Sequence, residues 1–134
     1  MIKRGLTHIT IILSAILLAA YLLLSGCGEK GAFDGSKISD EMGFRMEYSN
    51  LDKEESAELK LTKGDQMQVY ISHTAGNVDV IVGQNGKEPI YKGSGQENAD
   101  FILTVPKTGS YQISVTGHRA KGEISFTCIP LKEE

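Results

Sequence analysis

Two patterns of apolar residues divide this chain. From Ile9 to Leu24 the side chains are almost continuously apolar, interrupted only by Thr10, Ser14 and Tyr21. Beyond Phe44 the pattern changes to strict alternation. Phe44, Met46 and Tyr48 are separated by Arg45 and Glu47, and Ala57, Leu59 and Leu61 by Glu58 and Lys60. Met67, Val69, Ile71 and His73 share one phase, followed by Val78, Val80 and Val82, then Ile90-Tyr91, then Phe101, Leu103 and Val105. Tyr111, Ile113 and Val115, and finally Ile124, Phe126 and Cys128, complete the series. A period of two places alternate side chains on opposite faces of a strand, so about eight short half-buried strands are predicted.

Turn residues fall between these runs: Lys63-Gly64-Asp65, Ala75-Gly76-Asn77, Asn85-Gly86, Gly93-Ser94-Gly95, Pro106-Lys107-Thr108-Gly109 and Gly117 through Gly122. Asn85-Gly86 is the strongest hairpin signal, because both residues tolerate the positive φ of a tight primed turn. The charged stretch Asp52 to Glu58 predicts a connection, with one helical turn as the alternative, and Gly- and charge-rich residues 28–42 predict a flexible tether. Alternation with one solvated face favours an all-β fold, an antiparallel two-sheet β-sandwich of jelly-roll or Greek-key type. In that register Val80, Leu103, Ile113 and Phe126 point inward. Asp79, Ser114 and Ser125 point outward, and Ile102 is an outward apolar residue.

The N-terminal run has a different meaning. Lys3 and Arg4 precede it, and the small residues Ser25 and Gly26 follow it. A positive start, an apolar middle and small residues at a cut site mark a removable signal peptide. The 16 residues from Ile9 to Leu24 fall short of the roughly 20 that cross a bilayer comfortably. Leu24-Ser25-Gly26-Cys27 resembles the lipobox of bacterial lipoproteins at every position. The resemblance implies cleavage after Gly26 and a diacylglyceryl group on the sulfur of Cys27, the lipid attachment site. Two acyl chains hold a protein stably on a membrane where one does not. The expected organisation is therefore a signal peptide over 1–26, a tether over 27–42 carrying lipidated Cys27, and a sandwich domain over 43–134. The expected location is the extracytoplasmic face of the cell membrane.

Charge narrows the partners. The 134-residue chain carries 14 basic and 17 acidic side chains. Loss of Lys3 and Arg4 with the signal leaves 12 basic side chains among 108 residues, a net charge of −5 with histidines neutral. A mildly acidic surface disfavours nucleic acid and an anionic membrane face, which leaves the lipid as the anchor. Once Cys27 is acylated, Cys128 is the one remaining cysteine, so no intramolecular disulfide is possible. Its phase with Ile124 and Phe126 makes it a buried apolar residue; an intermolecular disulfide or a nucleophile is the alternative.

A second resemblance spans Ala57 to Phe126. Leu59-Lys60-Leu61-Thr62-Lys63-Gly64-Asp65, Asn77-Val78-Asp79-Val80-Ile81-Val82 and Val105-Pro106-Lys107-Thr108-Gly109-Ser110-Tyr111-Gln112-Ile113-Ser114-Val115 resemble strands and a hairpin of pre-peptidase C-terminal-type β-sandwich modules. Such modules accompany secreted enzymes and serve binding or maturation. The resemblance implies a binding or maturation role, and the acidic ligand run with which some relatives hold calcium has no counterpart here.

Catalytic constellations are sparse. A serine hydrolase needs Ser, His and a carboxylate around one nucleophile, and Gly93-Ser94-Gly95 lacks the strand-to-helix context of a nucleophile elbow. His73 follows the inward phase, His118 lies in a predicted turn, and two isolated histidines give no zinc spacing. Asp79 and Asp100 are an acid/base pair only if a cleft brings them together. No catalytic residue, metal site or cofactor is expected. Sugar stacking would have to use Tyr70 and Tyr91, since there is no Trp and Phe44, Tyr48, Phe101, Tyr111 and Phe126 follow the inward phase. The expectation is a non-catalytic binding or interaction module with a glycan, peptide or envelope-protein partner and unassigned ligand-binding residues. A structural or accessory subunit of an envelope complex is the alternative, with a small hydrolase third.

Overall fold

The computed structural model describes residues 31–132. The expected signal peptide and the expected lipid-attachment residue Cys27 lie outside them. Seven strands follow in order: β1 (Phe33–Asp40), β2 (Gly43–Leu51), β3 (Glu54–Leu61), β4 (Gln66–Gly83), β5 (Tyr91–Gln96), β6 (Asn98–Thr104) and β7 (Gly109–Ile129). Every pairing is antiparallel.

The architecture rests on β4 and β7, which pair along most of their length and serve two layers. In the first layer the N-terminal half of β4 pairs with β6 and with the C-terminal half of β7, which continues to β2 and then β1. In the second, the C-terminal half of β4 pairs with β5 and with the N-terminal half of β7, which continues to β3. The result is an all-β antiparallel two-sheet sandwich made from one long ribbon bent on itself. Lys37 on β1 reaches Glu55 on β3 at 2.9 Å, closing one open side between the layers. Tyr91 on β5 packs on Phe101 of β6, centroids 4.7 Å apart, at the other.

Two expected strand pairs are thus single strands. Met67–His73 and Val78–Val82 belong to β4, while Tyr111–Val115 and Ile124–Cys128 belong to β7. The glycines that read as loops lie at a bulged bend, where the register shifts between His73 and Ala75 and again before Asn77. Bulges let a strand turn from one sheet into another without ending its ladder. Arg119, with φ of 49°, is the non-glycine residue in the left-handed region at this bend, and its N–H is bonded to Asp52 Oδ1 at 3.2 Å.

The alternating faces form as predicted. Tyr111, Phe44, Phe126, Met46, Leu51, Met67, Ile71 and Ile113 are fully buried between the layers, with Val80 among them and Leu103 partly buried at their edge. Ile102 is 54% exposed on the outer face. Tyr111 also donates its hydroxyl to the Lys107 carbonyl at 2.6 Å, tying the Pro106–Gly109 turn to the strand it opens.

Three local expectations are corrected. The tether predicted over 27–42 overlaps β1, and the compact unit begins at Gly31 rather than 43. The inward positions of β1 are Phe33, Gly35, Lys37 and Ser39, so its sequence offers no apolar alternation; main-chain bonding to β2 makes it a strand. The charged stretch Asp52 to Glu58 enters β3 at Glu54. Asn85-Gly86 lies in a longer loop, 84–90, in which Gly86 has φ of 75° and the Lys87 N–H bonds the Gln84 carbonyl at 3.2 Å. Asn85 keeps a negative φ, so this turn has one left-handed residue where a primed turn has two. A Cβ at Gly86 would meet nothing within 4 Å. Gly86→Val is therefore expected to cost only backbone strain, about 1–2 kcal/mol, read as a lower denaturation midpoint at unchanged m-value.

Candidate functional site

The bend of the ribbon gathers most of the polar side chains that chemistry could use. His73 ends the inward phase of the first half of β4, at the mouth of the sandwich, where it is half-buried. Its Nδ1 lies 2.9 Å from the Glu97 carbonyl, an acceptor, so this nitrogen carries the proton. Nε2 is then the acceptor for the Tyr48 hydroxyl at 2.5 Å. The rings are tilted with centroids 5.6 Å apart, and Phe33 packs edge-on against Tyr48. Burial pushes the Tyr48 phenol well above its usual range, which keeps it protonated and donating. Burial also lowers the His73 pKa, outweighing the carbonyl bonds from Glu97 and Gln96 that favour its charged form. The couple is a neutral donor–acceptor pair holding β2 to β4.

That assignment fixes a pH dependence. An unfolded imidazole titrates near 6.5, above the depressed value of folded His73, so the unfolded chain binds the extra proton first. The stability this group supplies is complete above about 6.5 and is lost as pH falls toward the lower folded value. The midpoint of urea denaturation should therefore fall on acidification through this window, and His73→Phe should show a flatter profile there. Equal slopes would show that His73 is not held neutral.

Beside this pair, on the outer face of the first layer, is an open cleft of about 680 Å³. Ser36, Glu47, Glu123 and Ser72 form one row across β1, β2, β7 and β4 on its floor. Lys121 and Thr74 line it nearer the bend, and Ser49 donates to Asp34 Oδ2 at 2.8 Å at its edge. Glu47 stands directly opposite Glu123, a like-charge cross-strand pairing that costs stability.

The second layer carries another pair on its outer face. His118 Nε2 is 2.8 Å from Asp79 Oδ2, and the Gly95 N–H donates to Asp79 Oδ1 at 2.8 Å. The His118 bond first, then the Gly95 N–H, hold the Asp79 carboxyl below the usual carboxylate range. His118 is therefore a strand residue with a partner, where the sequence suggested a solvated turn. The 39 residues between the two hid the pairing. Ser94 and Gly95 belong to strand β5.

Asp79 and Asp100 do not converge. Asp100 lies on β6 in the first layer, accepting from Gln68 at 3.3 Å, on the opposite outer face from Asp79. Cys128 is buried opposite Met67, and burial, then Asp65 and Asp40, raise its thiol pKa. Tyr70 is 39% exposed on the outer face. Tyr91, the other candidate platform, packs on Phe101 and accepts a bond from the Gln96 side-chain amide, so its ring faces the protein. Among the described residues no three His, Cys, Asp or Glu side chains are placed to hold a metal ion.

No protein-family model matches the sequence, and no curated protein matches it. Among solved structures, that of PliG from Salmonella Typhimurium, a periplasmic lysozyme inhibitor of g-type lysozyme, is similar with a TM-score of 0.39. The two sequences are 17% identical, and the match covers 76% of this chain and 90% of that one.

Proposed function

We propose that this protein is a lipid-anchored, extracytoplasmic module of the bacterial cell envelope that binds a partner without catalysis. The observation that carries this reading is the short distance between Cys27 of the lipobox and β1. Five residues lie between Cys27 and Phe33, a span of at most about 22 Å. Acylation at Cys27 would hold the sandwich close to the bilayer surface. The open cleft on the first layer supports a binding role, since its floor offers hydroxyl, carboxylate and ammonium groups to an envelope protein, peptide or glycan. His73 supports the non-catalytic part, because its free nitrogen is taken by the Tyr48 hydroxyl.

The alternative, an accessory subunit of an envelope complex, is favoured by Ile38 and Met42, 57% and 62% exposed near the β1–β2 turn. Detergent-phase partitioning tests the anchor. The wild-type protein should enter the detergent phase and Cys27→Ala should stay in the aqueous phase; equal partitioning would overturn the anchored reading. Arrays of glycans and envelope proteins, probed with the mature domain and with a Ser72→Arg variant that fills the cleft, test the binding role. A partner bound equally by both would move the binding surface away from the cleft.

A further inference from the structure

The geometry points to Asn85 as a site of spontaneous covalent modification, deamidation through a cyclic imide formed with Gly86. The chemistry needs a side-chain amide next to a backbone nitrogen that is sterically open and conformationally free. Asn85 and Gly86 are both exposed, in a loop crossing the outer face of the second layer. Gly86 has no Cβ, and even a Cβ built there would touch nothing within 4 Å. The hydrogen bond of this turn runs from the Lys87 N–H to the Gln84 carbonyl and leaves the Gly86 nitrogen outside it.

In the reaction the Gly86 backbone nitrogen, having lost its proton to solvent, attacks Cγ of Asn85. A bond forms between them, the bond from Cγ to the side-chain nitrogen breaks, and ammonia leaves with a proton from water. Water then opens the five-membered imide at either carbonyl. One opening gives aspartate and the other isoaspartate, whose main chain is longer by one methylene. One amide and one water become one carboxylic acid and one ammonia, with no oxidant or reductant.

The other three asparagines of the chain are placed differently. Asn50, Asn77 and Asn98 lie within strands β2, β4 and β6, followed by Leu51, Val78 and Ala99. A side chain on the following residue and a ladder-held backbone both oppose ring closure. Asn98 is held further, its side-chain oxygen accepting the His73 N–H at 3.3 Å. Asp34-Gly35 has the composition for the related isomerisation, yet it is paired in β1 and the Asp34 carboxylate accepts the Ser49 hydroxyl. The fold therefore concentrates this reactivity at one position.

The product has a local consequence. The loop from Gln84 to Pro89 forms one wall of a small pocket of about 180 Å³ against Ile81, Gln112 and Ser114. Deamidation puts a new carboxylate two residues from Lys87 and, in the isoaspartate form, resets the backbone of that wall.

The mature folded protein incubated in mildly alkaline buffer, then mapped by peptide mass spectrometry and isoaspartate-specific enzymatic methylation, tests the proposal. Acid and isoacid products should accumulate at Asn85 while Asn50, Asn77 and Asn98 keep their amides. Gly86→Val should slow conversion about tenfold or more, a barrier change of about 1.4 kcal/mol or more. Asn85→Ala, a truncation in open solvent, should remove the ammonia release. An intact Asn85 after the strand asparagines have converted, or an unchanged rate in Gly86→Val shown by circular dichroism to be folded, would overturn the assignment.

Discussion

Phe126→Ala should lower the unfolding free energy by about 3–5 kcal/mol, the usual penalty for emptying a large buried aromatic site. Phe126 is 1% exposed and stacks on Phe44 across β7 and β2, ring centroids 6.1 Å apart. It also lies opposite Val69 on β4, in the central pair of strands. A hole there removes packing from both neighbours at once, and a rigid ladder on either side cannot close it. Against a total of roughly 5–15 kcal/mol for a domain of this kind, much of the stability would be lost. Ser125→Ala, on the outer face one residue away, should leave the denaturation midpoint almost unchanged. Chemical denaturation of the two variants side by side measures the difference. A more damaging serine change would mean that β7 faces the other way.

Gly122→Ala is expected to cost about 3 kcal/mol, although it adds only one methyl group. Gly122 is at the bend of β7, with φ of 151°, paired to Tyr48 on one side and His73 on the other. A Cβ there would overlap the Ser72 carbonyl oxygen and would come within 2.8 Å of His73 Cα. Backbone strain contributes about 1–3 kcal/mol, and displacement of the neighbouring strand adds about 1–3 kcal/mol. The neighbouring atoms are backbone, so they yield only by distorting the β4–β7 ladder beside the Tyr48–His73 pair. A thermal melt of Gly122→Ala beside Gly86→Val separates the causes, since Gly86 has the positive φ without the crowding. Equal costs at the two positions would show that strain alone matters and that the close strand approach at Gly122 does not.

The two experiments probe different parts of what the amino-acid order specifies. The core was legible because alternation is local. When one face of a strand is buried and the other wet, apolar and polar residues must succeed each other with a period of two. Phe44, Met46, Met67, Val69, Ile113 and Phe126 obey that rule and are all buried. The same rule placed Cys128 inward and Ile102 outward. The candidate site was less legible, since Tyr48 and His73 are 25 residues apart and each reads alone as an inward residue. His118 gave no local sign of Asp79. Their meeting depends on which strands pair and in what register, and that is decided across the whole chain.

The sequence by itself therefore determined the strand faces, the all-β class and the inward residues, because burial of one face acts residue by residue. It also carries the Leu24-Ser25-Gly26-Cys27 motif on which the proposed export and lipid anchoring rest, since a signal of that kind would be read from a short segment before folding. Only the tertiary structure decided that β1, with Gly35, Lys37 and Ser39 at its inward positions, becomes an edge strand. Main-chain bonds supply that pairing, and they leave no pattern in the side chains. Only the tertiary structure, again, turned the glycine-rich stretches near Gly76 and Gly122 into the bend of one continuous ribbon. Glycine permits a loop and a bulged strand equally well, and the choice fell to the ladder between β4 and β7, which the two halves of the chain complete only together.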